Sequence, residues 1–84
     1  MEDKSIPTKA RLRWQCRRGM KELDVLLCRY LDERYELAGV REQGEFHALL
    51  DCEDPDLFAW LSGRADPEGE GRLRLVRLLR GDAG

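Results

Sequence analysis

No stretch of this chain approaches the roughly 18 consecutive apolar residues that a membrane-spanning helix requires. No apolar run follows the start as a secretory signal would demand, and Glu2 and Asp3 are foreign to an acid-poor transit peptide. The expected location is the cytoplasm. Cysteine is sparse: Cys16, Cys28 and Cys52 lie 12 and 24 residues apart, without a Cys-x-x-Cys, and match no zinc spacing. In a reducing compartment they read as small buried apolar side chains, and no bound metal is expected. Histidine occurs once, at position 47. Gly69 and Gly71 are not followed by the rest of a dinucleotide fingerprint or a Walker sequence. β-Branched residues are few, which disfavours sheet. Internal repeats and low-complexity segments are absent.

What is present is charge and leucine. Of 84 residues, 38% are charged, and the Arg-, Glu-, Asp- and Leu-rich composition favours helix. A chain this short forms one domain with a modest core and little room for a walled active-site cleft. The formal net charge is −2, but residues 1–22 carry +4, residues 23–70 carry −9 and residues 71–84 carry +3. Basic ends could meet nucleic acid or a membrane surface, yet the acidic middle would repel both. A protein partner with complementary patches fits this distribution, as does a set of ordinary solvated helix faces.

Helical periodicity organises the chain. Residues 1–7 are polar, end in Ile6-Pro7 and are expected to fray. Thr8 stands where an N-cap should, ahead of a helix expected over 9–17. Ala10 and Trp14 share one face of it, with Leu12 and Cys16 beside them, and Trp14 reads as core. Gly19 follows as its left-handed stop. A second helix starts at once, with Glu22 and Asp24 in its first turns. Its stripe of Leu23, Leu26, Leu27, Tyr30, Leu31 and Tyr35 recurs every three or four residues, and Gly39 closes it. A third helix over 40–50 turns Phe46, Leu49 and Leu50 inward. Asp54-Pro55-Asp56 starts a fourth, with Asp54 as cap and Pro55 at the first helical position. Leu57, Trp60 and Leu61 form its inner face, and Gly63 ends it. Residues 64–71 read as a loop. The run Arg72–Leu79 alternates like a strand at first, but a lone strand has no partner, so it is assigned to a fifth helix. Five such helices bury their stripes only against one another: the fold class is all-α, a compact five-helix antiparallel bundle.

Catalytic constellations are missing from the pattern, and no catalytic or metal-binding residues are assigned. His47 sits on a helix with Glu45 and Asp51 and reads as an exposed surface imidazole. Ser5 and Ser62 have no base nearby in sequence. Asp51, Glu53, Asp54 and Asp56 lack the central glycine and terminal glutamate of a calcium loop. Lys9, Arg13 and Arg17 line one stripe with Trp14 adjacent, which keeps nucleic-acid binding open as a third reading. The corner at Arg17–Asp24 has two readings. It is either a helix-joining turn supported by Arg18 and Glu22, or a projecting surface where a side-chain-free glycine lets another protein approach closely.

The run Lys9-Ala10-Arg11-Leu12-Arg13-Trp14 leading into Arg17-Arg18-Gly19-Met20-Lys21-Glu22-Leu23-Asp24 resembles the signature of the SdhE family, whose core is Arg-Gly-x-x-Glu. The block Leu49-Leu50-x-Cys52-Glu53-Asp54-Pro55-Asp56-Leu57-Phe58-x-Trp60-Leu61 is similar to that family's second conserved segment. The tail after Gly63 departs most from the pattern. The resemblance implies a non-enzymatic, chaperone-like assembly factor. It would bind the flavoprotein subunit of succinate dehydrogenase or fumarate reductase and promote covalent attachment of FAD to a histidine of that partner, holding no cofactor stably itself. The chain is further expected to be monomeric when free, not to bind nucleic acid and not to insert into a membrane. The family's motif falls on Arg18, Gly19 and Glu22. The candidate partner-binding set is Arg17, Arg18, Gly19, Met20, Glu22 and Asp24. Arg18→Ala and Glu22→Ala are expected to stay folded, and Trp60→Ala to unfold. Relatives have also carried an antitoxin label, so a regulatory interaction module of antitoxin-like type is the alternative.

Overall fold

The computed structural model describes residues 8–81; the fraying expected over 1–7 lies outside them. The elements are α1 (Lys9–Gln15), α2 (Lys21–Glu33), a 3₁₀ turn (Tyr35–Leu37), α3 (Val40–Leu50), α4 (Asp54–Leu61) and α5 (Glu70–Arg80), with no strand among the described residues. The five-helix, all-α bundle matches the architecture expected from the stripes. Central in it is α2, which packs on α1, α4, α5 and the 3₁₀ turn, while α5 closes over α3 and α4.

Thr8 caps α1 as its sequence position demands, its Oγ1 accepting the Arg11 N–H at 3.1 Å. The helix then stops at Gln15, two residues earlier than expected, with the Cys16 N–H bonded back to Leu12 and Arg13 carbonyls. Leu12 and Cys16 are fully buried, whereas Trp14 is 76% exposed, against its reading as core. Leu12 and Trp14 lie about 200° apart around a helix, so a single face cannot bury both. The Leu12–Cys16 stripe faces the core, and Ala10 and Trp14 are left outside.

Phe46 of α3 is fully buried, with its ring 4.6 Å from Tyr30 and 5.8 Å from Tyr35. Leu23, Leu27 and Leu31 of α2, Leu57 and Leu61 of α4, and Leu75, Val76 and Leu79 of α5 complete the core. The ambiguous run Arg72–Leu79 is helical, as assigned, because only that period brings Leu75, Val76 and Leu79 to one side. Helix α2 does not run on to Gly39. It ends at Glu33, and the 3₁₀ turn swings Tyr35 under the core, where Gln43 Nε2 donates to the Tyr35 carbonyl at 2.7 Å. Gly39 instead begins α3 in an ordinary extended conformation (φ −73°). Gly63, with φ +85°, ends α4 as expected. The Gly63 N–H reaches Trp60 O at 3.2 Å and the Arg64 N–H reaches Ala59 O at 2.9 Å, which satisfy two carbonyls of the helix's last turn.

Two further expectations are corrected. Trp60 is half-buried against the core rather than enclosed by it. His47 is also half-buried, and its Nε2 shares a 2.6 Å hydrogen bond with the Tyr35 hydroxyl, because the 3₁₀ turn brings that ring against α3.

Phe46→Ala should cost about 3–5 kcal/mol. Trp60→Ala, with less area to lose, should cost on the order of 2 kcal/mol. Urea midpoints of the two variants should fall in that order.

Burial, and then the neighbouring Cys28 thiol, push the Cys16 thiol from 9.0 up to about 12. The unfolded thiol ionises first, so this contribution to stability is complete below about pH 9 and is lost as pH rises towards 12. Burial and its hydrogen bond to Glu42 likewise raise the Tyr30 hydroxyl. The melting temperature should therefore drop on the alkaline side. Cys16 should resist a thiol reagent in native protein at pH 7 and react once the chain is unfolded.

Candidate functional site

Between α1 and α2 the chain turns through Arg17, Arg18 and Gly19, and Gly19 adopts φ +84°. This is the left-handed region that favours glycine, and a Cβ built there would meet no atom within 4 Å. Beyond that backbone conformation, no neighbouring atom inside the protein crowds this point. The space above Gly19 is open to whatever approaches from outside.

Asp24, in the first turn of α2, holds the turn from behind. Its Oδ1 accepts the Arg18 N–H at 2.7 Å and its Oδ2 accepts the Gly19 N–H at 3.3 Å. The Arg18 side chain does not project. Its Nε donates to Asp54 Oδ1 at 2.8 Å and its Nη1 to the carbonyls of Gln15 and Leu50 at 3.1 and 2.9 Å. Its Nη2 donates to the Cys52 carbonyl at 2.6 Å, and the side chain is only 15% exposed. One guanidinium thus satisfies carbonyls at the ends of α1 and α3 and a carboxylate at the start of α4. A cation is well placed at helix C-termini, as is an anion at a helix N-terminus. Asp54 is therefore not the α4 cap. Glu53 occupies that position without a side-chain cap bond, and Asp54 reaches across to Arg18.

The candidate residues divide accordingly. Arg17, Gly19 and Glu22 are exposed, while Met20 is half-buried and packs on the core. Arg18 and Asp24 turn inward and fix the corner's shape, so the picture of Arg18 as an exposed side chain is corrected. Two residues that bear on the site went unrecognised in the sequence. Asp54 carried a sufficient local explanation as a cap. Trp14 was masked by the rival Ala10–Trp14 stripe, although Leu12 and Cys16 already supplied an inward face at the same spacing.

The basic stripe is also reorganised by folding. Lys9 pairs with Glu36 at 3.1 Å and Arg13 with Asp32, which leaves Arg17 as its one member without an acidic partner among the described residues. The Arg13 guanidinium holds the Asp32 carboxyl below its ordinary range, first through the hydrogen bond and then through charge. Among the described residues no three His, Cys, Asp or Glu side chains converge to hold a metal. No helix there is long and apolar enough to cross a membrane.

With this geometry in view, the relatives are informative. The family model described as flavinator of succinate dehydrogenase matches residues 10–83. The FAD assembly factor SdhE of Aliivibrio fischeri is 51% identical over 72 residues, 86% of this chain and 84% of that protein. Its counterpart in Vibrio vulnificus is 47% identical over 68 residues, 81% of this chain and 79% of that protein. That of Idiomarina loihiensis is 40% identical over 77 residues, covering 92% and 86%. The chain belongs to the SdhE family of FAD assembly factors. The matched span takes in both the Gly19 corner and the α3–α4 turn to which Arg18 ties it.

Removal of Arg18 leaves part-buried carbonyls of Leu50 and Cys52 without a donor. Arg18→Ala should therefore cost about 2–3 kcal/mol, and the melting temperature should fall by roughly 10–20 °C. Arg18→Lys should recover little of this, because an ammonium cannot span three carbonyls and a carboxylate at once. Thermal melts of both variants against Glu22→Ala, whose side chain is exposed, check the assignment.

Proposed function

We propose that this SdhE-family chain binds the flavoprotein subunit of succinate dehydrogenase, or of the related fumarate reductase, and promotes covalent attachment of FAD to it. The observation that carries the reading is the Gly19 corner. It presents open backbone at φ +84°, flanked by exposed Arg17 and Glu22, on a turn locked from behind by Arg18 and Asp24. A rigid convex corner with a bare backbone tip suits insertion between two parts of a larger protein, and little ordering entropy is lost when it docks.

The chain acts in this reading without chemistry of its own. The flavin bond forms on the partner, and binding favours whichever conformation of the partner is competent to form it. A ligand shifts such an equilibrium only by as much as it prefers one state to the other. FAD is the partner's cofactor and is not held stably by this chain, which works as a single-domain monomer in the cytoplasm.

Gly19→Arg should fold, losing about 1–2 kcal/mol for the left-handed backbone, and Glu22→Ala should melt within a few degrees of wild type, as surface substitutions do. Neither should restore covalent flavin, read as in-gel fluorescence of the flavoprotein subunit, to a strain lacking the gene, whereas wild type should. Full fluorescence with both variants would remove the corner from the binding site. Full fluorescence in the deletion strain itself would remove the function.

A further inference from the structure

Among the described residues, Trp14 is the largest apolar side chain standing in solvent, at 76% exposed. It lies on the outer face of α1 between Arg11 and Arg17, both also exposed. The cations that face α2 are neutralised, Lys9 by Glu36 and Arg13 by Asp32, but Arg11 and Arg17 have no acidic partner among the described residues. Trp14, Gln15, Arg17, Arg18 and Asp54 line a shallow cleft beside the Gly19 corner. In that cleft the Arg18 guanidinium is already engaged with Asp54 and three carbonyls, so Arg17 is the cation left to receive a ligand.

We infer that Trp14 and Arg17 form the docking hot spot for the flavoprotein subunit, an inference that rests on the function proposed above. The segment they take carries a carboxylate beside an apolar side chain. An exposed indole offers a large rigid face for the apolar group, and a free guanidinium offers a two-pronged donor for the carboxylate. Tryptophan and arginine are also the residue types in which interface binding energy concentrates. A nucleic-acid strand is disfavoured because its successive phosphates need a track of cations. Here Lys9 and Arg13 are paired with Glu36 and Asp32, which leaves only Arg11 and Arg17 beside Trp14, and Asp54 lines the cleft itself.

The test is calorimetric titration of the full chain against flavoprotein subunit lacking covalent flavin, for wild type, Trp14→Ala, Arg17→Glu, Arg17→Lys and Gly19→Arg. Trp14→Ala and Arg17→Glu should each weaken binding about tenfold or more while melting like wild type. Arg17→Lys should recover only part of the affinity lost in Arg17→Glu, because an ammonium keeps the charge but not the paired donors, and the salt dependence seen with wild type should flatten in Arg17→Glu. If Trp14→Ala and Arg17→Glu bind like wild type while Gly19→Arg fails, the corner stands and the hot spot is overturned. If wild type itself does not bind, the proposed function falls and this inference with it. Trp14-dependent binding of a single-stranded oligonucleotide, with the flavoprotein titration unchanged, would equally overturn it.

Discussion

Every helix C-terminus leaves carbonyls without intrahelical partners, and in a bundle this small two such ends crowd into one place. The Arg18 guanidinium meets that constraint by bonding to Gln15, Leu50 and Cys52 carbonyls while pairing with Asp54. A residue that serves three helices this way also decides where the α1–α2 turn sits, because Asp24 holds the backbone of Arg18 and Gly19 against the start of α2. The exposed part of the corner is therefore shaped by residues that do not themselves face solvent. Within one short motif, Arg18 and Asp24 hold the architecture while Arg17, Gly19 and Glu22 face solvent.

The uneven charge has a similar internal explanation. Part of the acidic middle of the chain is used inside the protein. Asp32 and Glu36 neutralise the inner cations of α1, and Asp54 neutralises Arg18. Around α1 the exposed side chains then include Arg11 and Trp14, with Arg17 just past the helix end and Glu22 across the turn. Exposed ion pairs of the Lys9–Glu36 kind contribute little stability each. Their larger effect is to restrict which cations stay free to bind.

Much of the fold was legible because α2 and α3 each carry a single apolar stripe, and because a lone strand over Arg72–Leu79 would have had no partner. Phe46, Leu49 and Leu50 point inward as their spacing demands, and Thr8 caps α1 as its position demands. The errors arose where two local explanations competed or where a distant partner outranked a near one. On α1 two stripes of equal spacing lay on opposite faces, and nothing in the periodicity said which one α2 would cover. Asp54 had every local qualification of a cap, but a guanidinium 36 residues away in sequence claimed its carboxylate. The motif and its glycine were legible as a corner and, through resemblance, as a candidate site. That Arg18 belongs to the scaffold was not, since its acceptors are backbone carbonyls, which carry no side-chain signature.

The Arg18 contacts also span a large part of the chain. Its acceptors at Leu50, Cys52 and Asp54 lie 32, 34 and 36 residues downstream. Contacts between distant segments form only after the intervening chain has been organised. During synthesis, then, the Arg18 side chain cannot complete its contacts until the start of α4 is available, although the corner's own sequence is complete long before. A nascent or clipped chain that ends earlier carries the whole motif, and the Asp24 hold on its backbone, without the contacts that tie it to α3 and α4. On the function proposed above, recognition of the corner would double as a check that most of the domain has been made and folded.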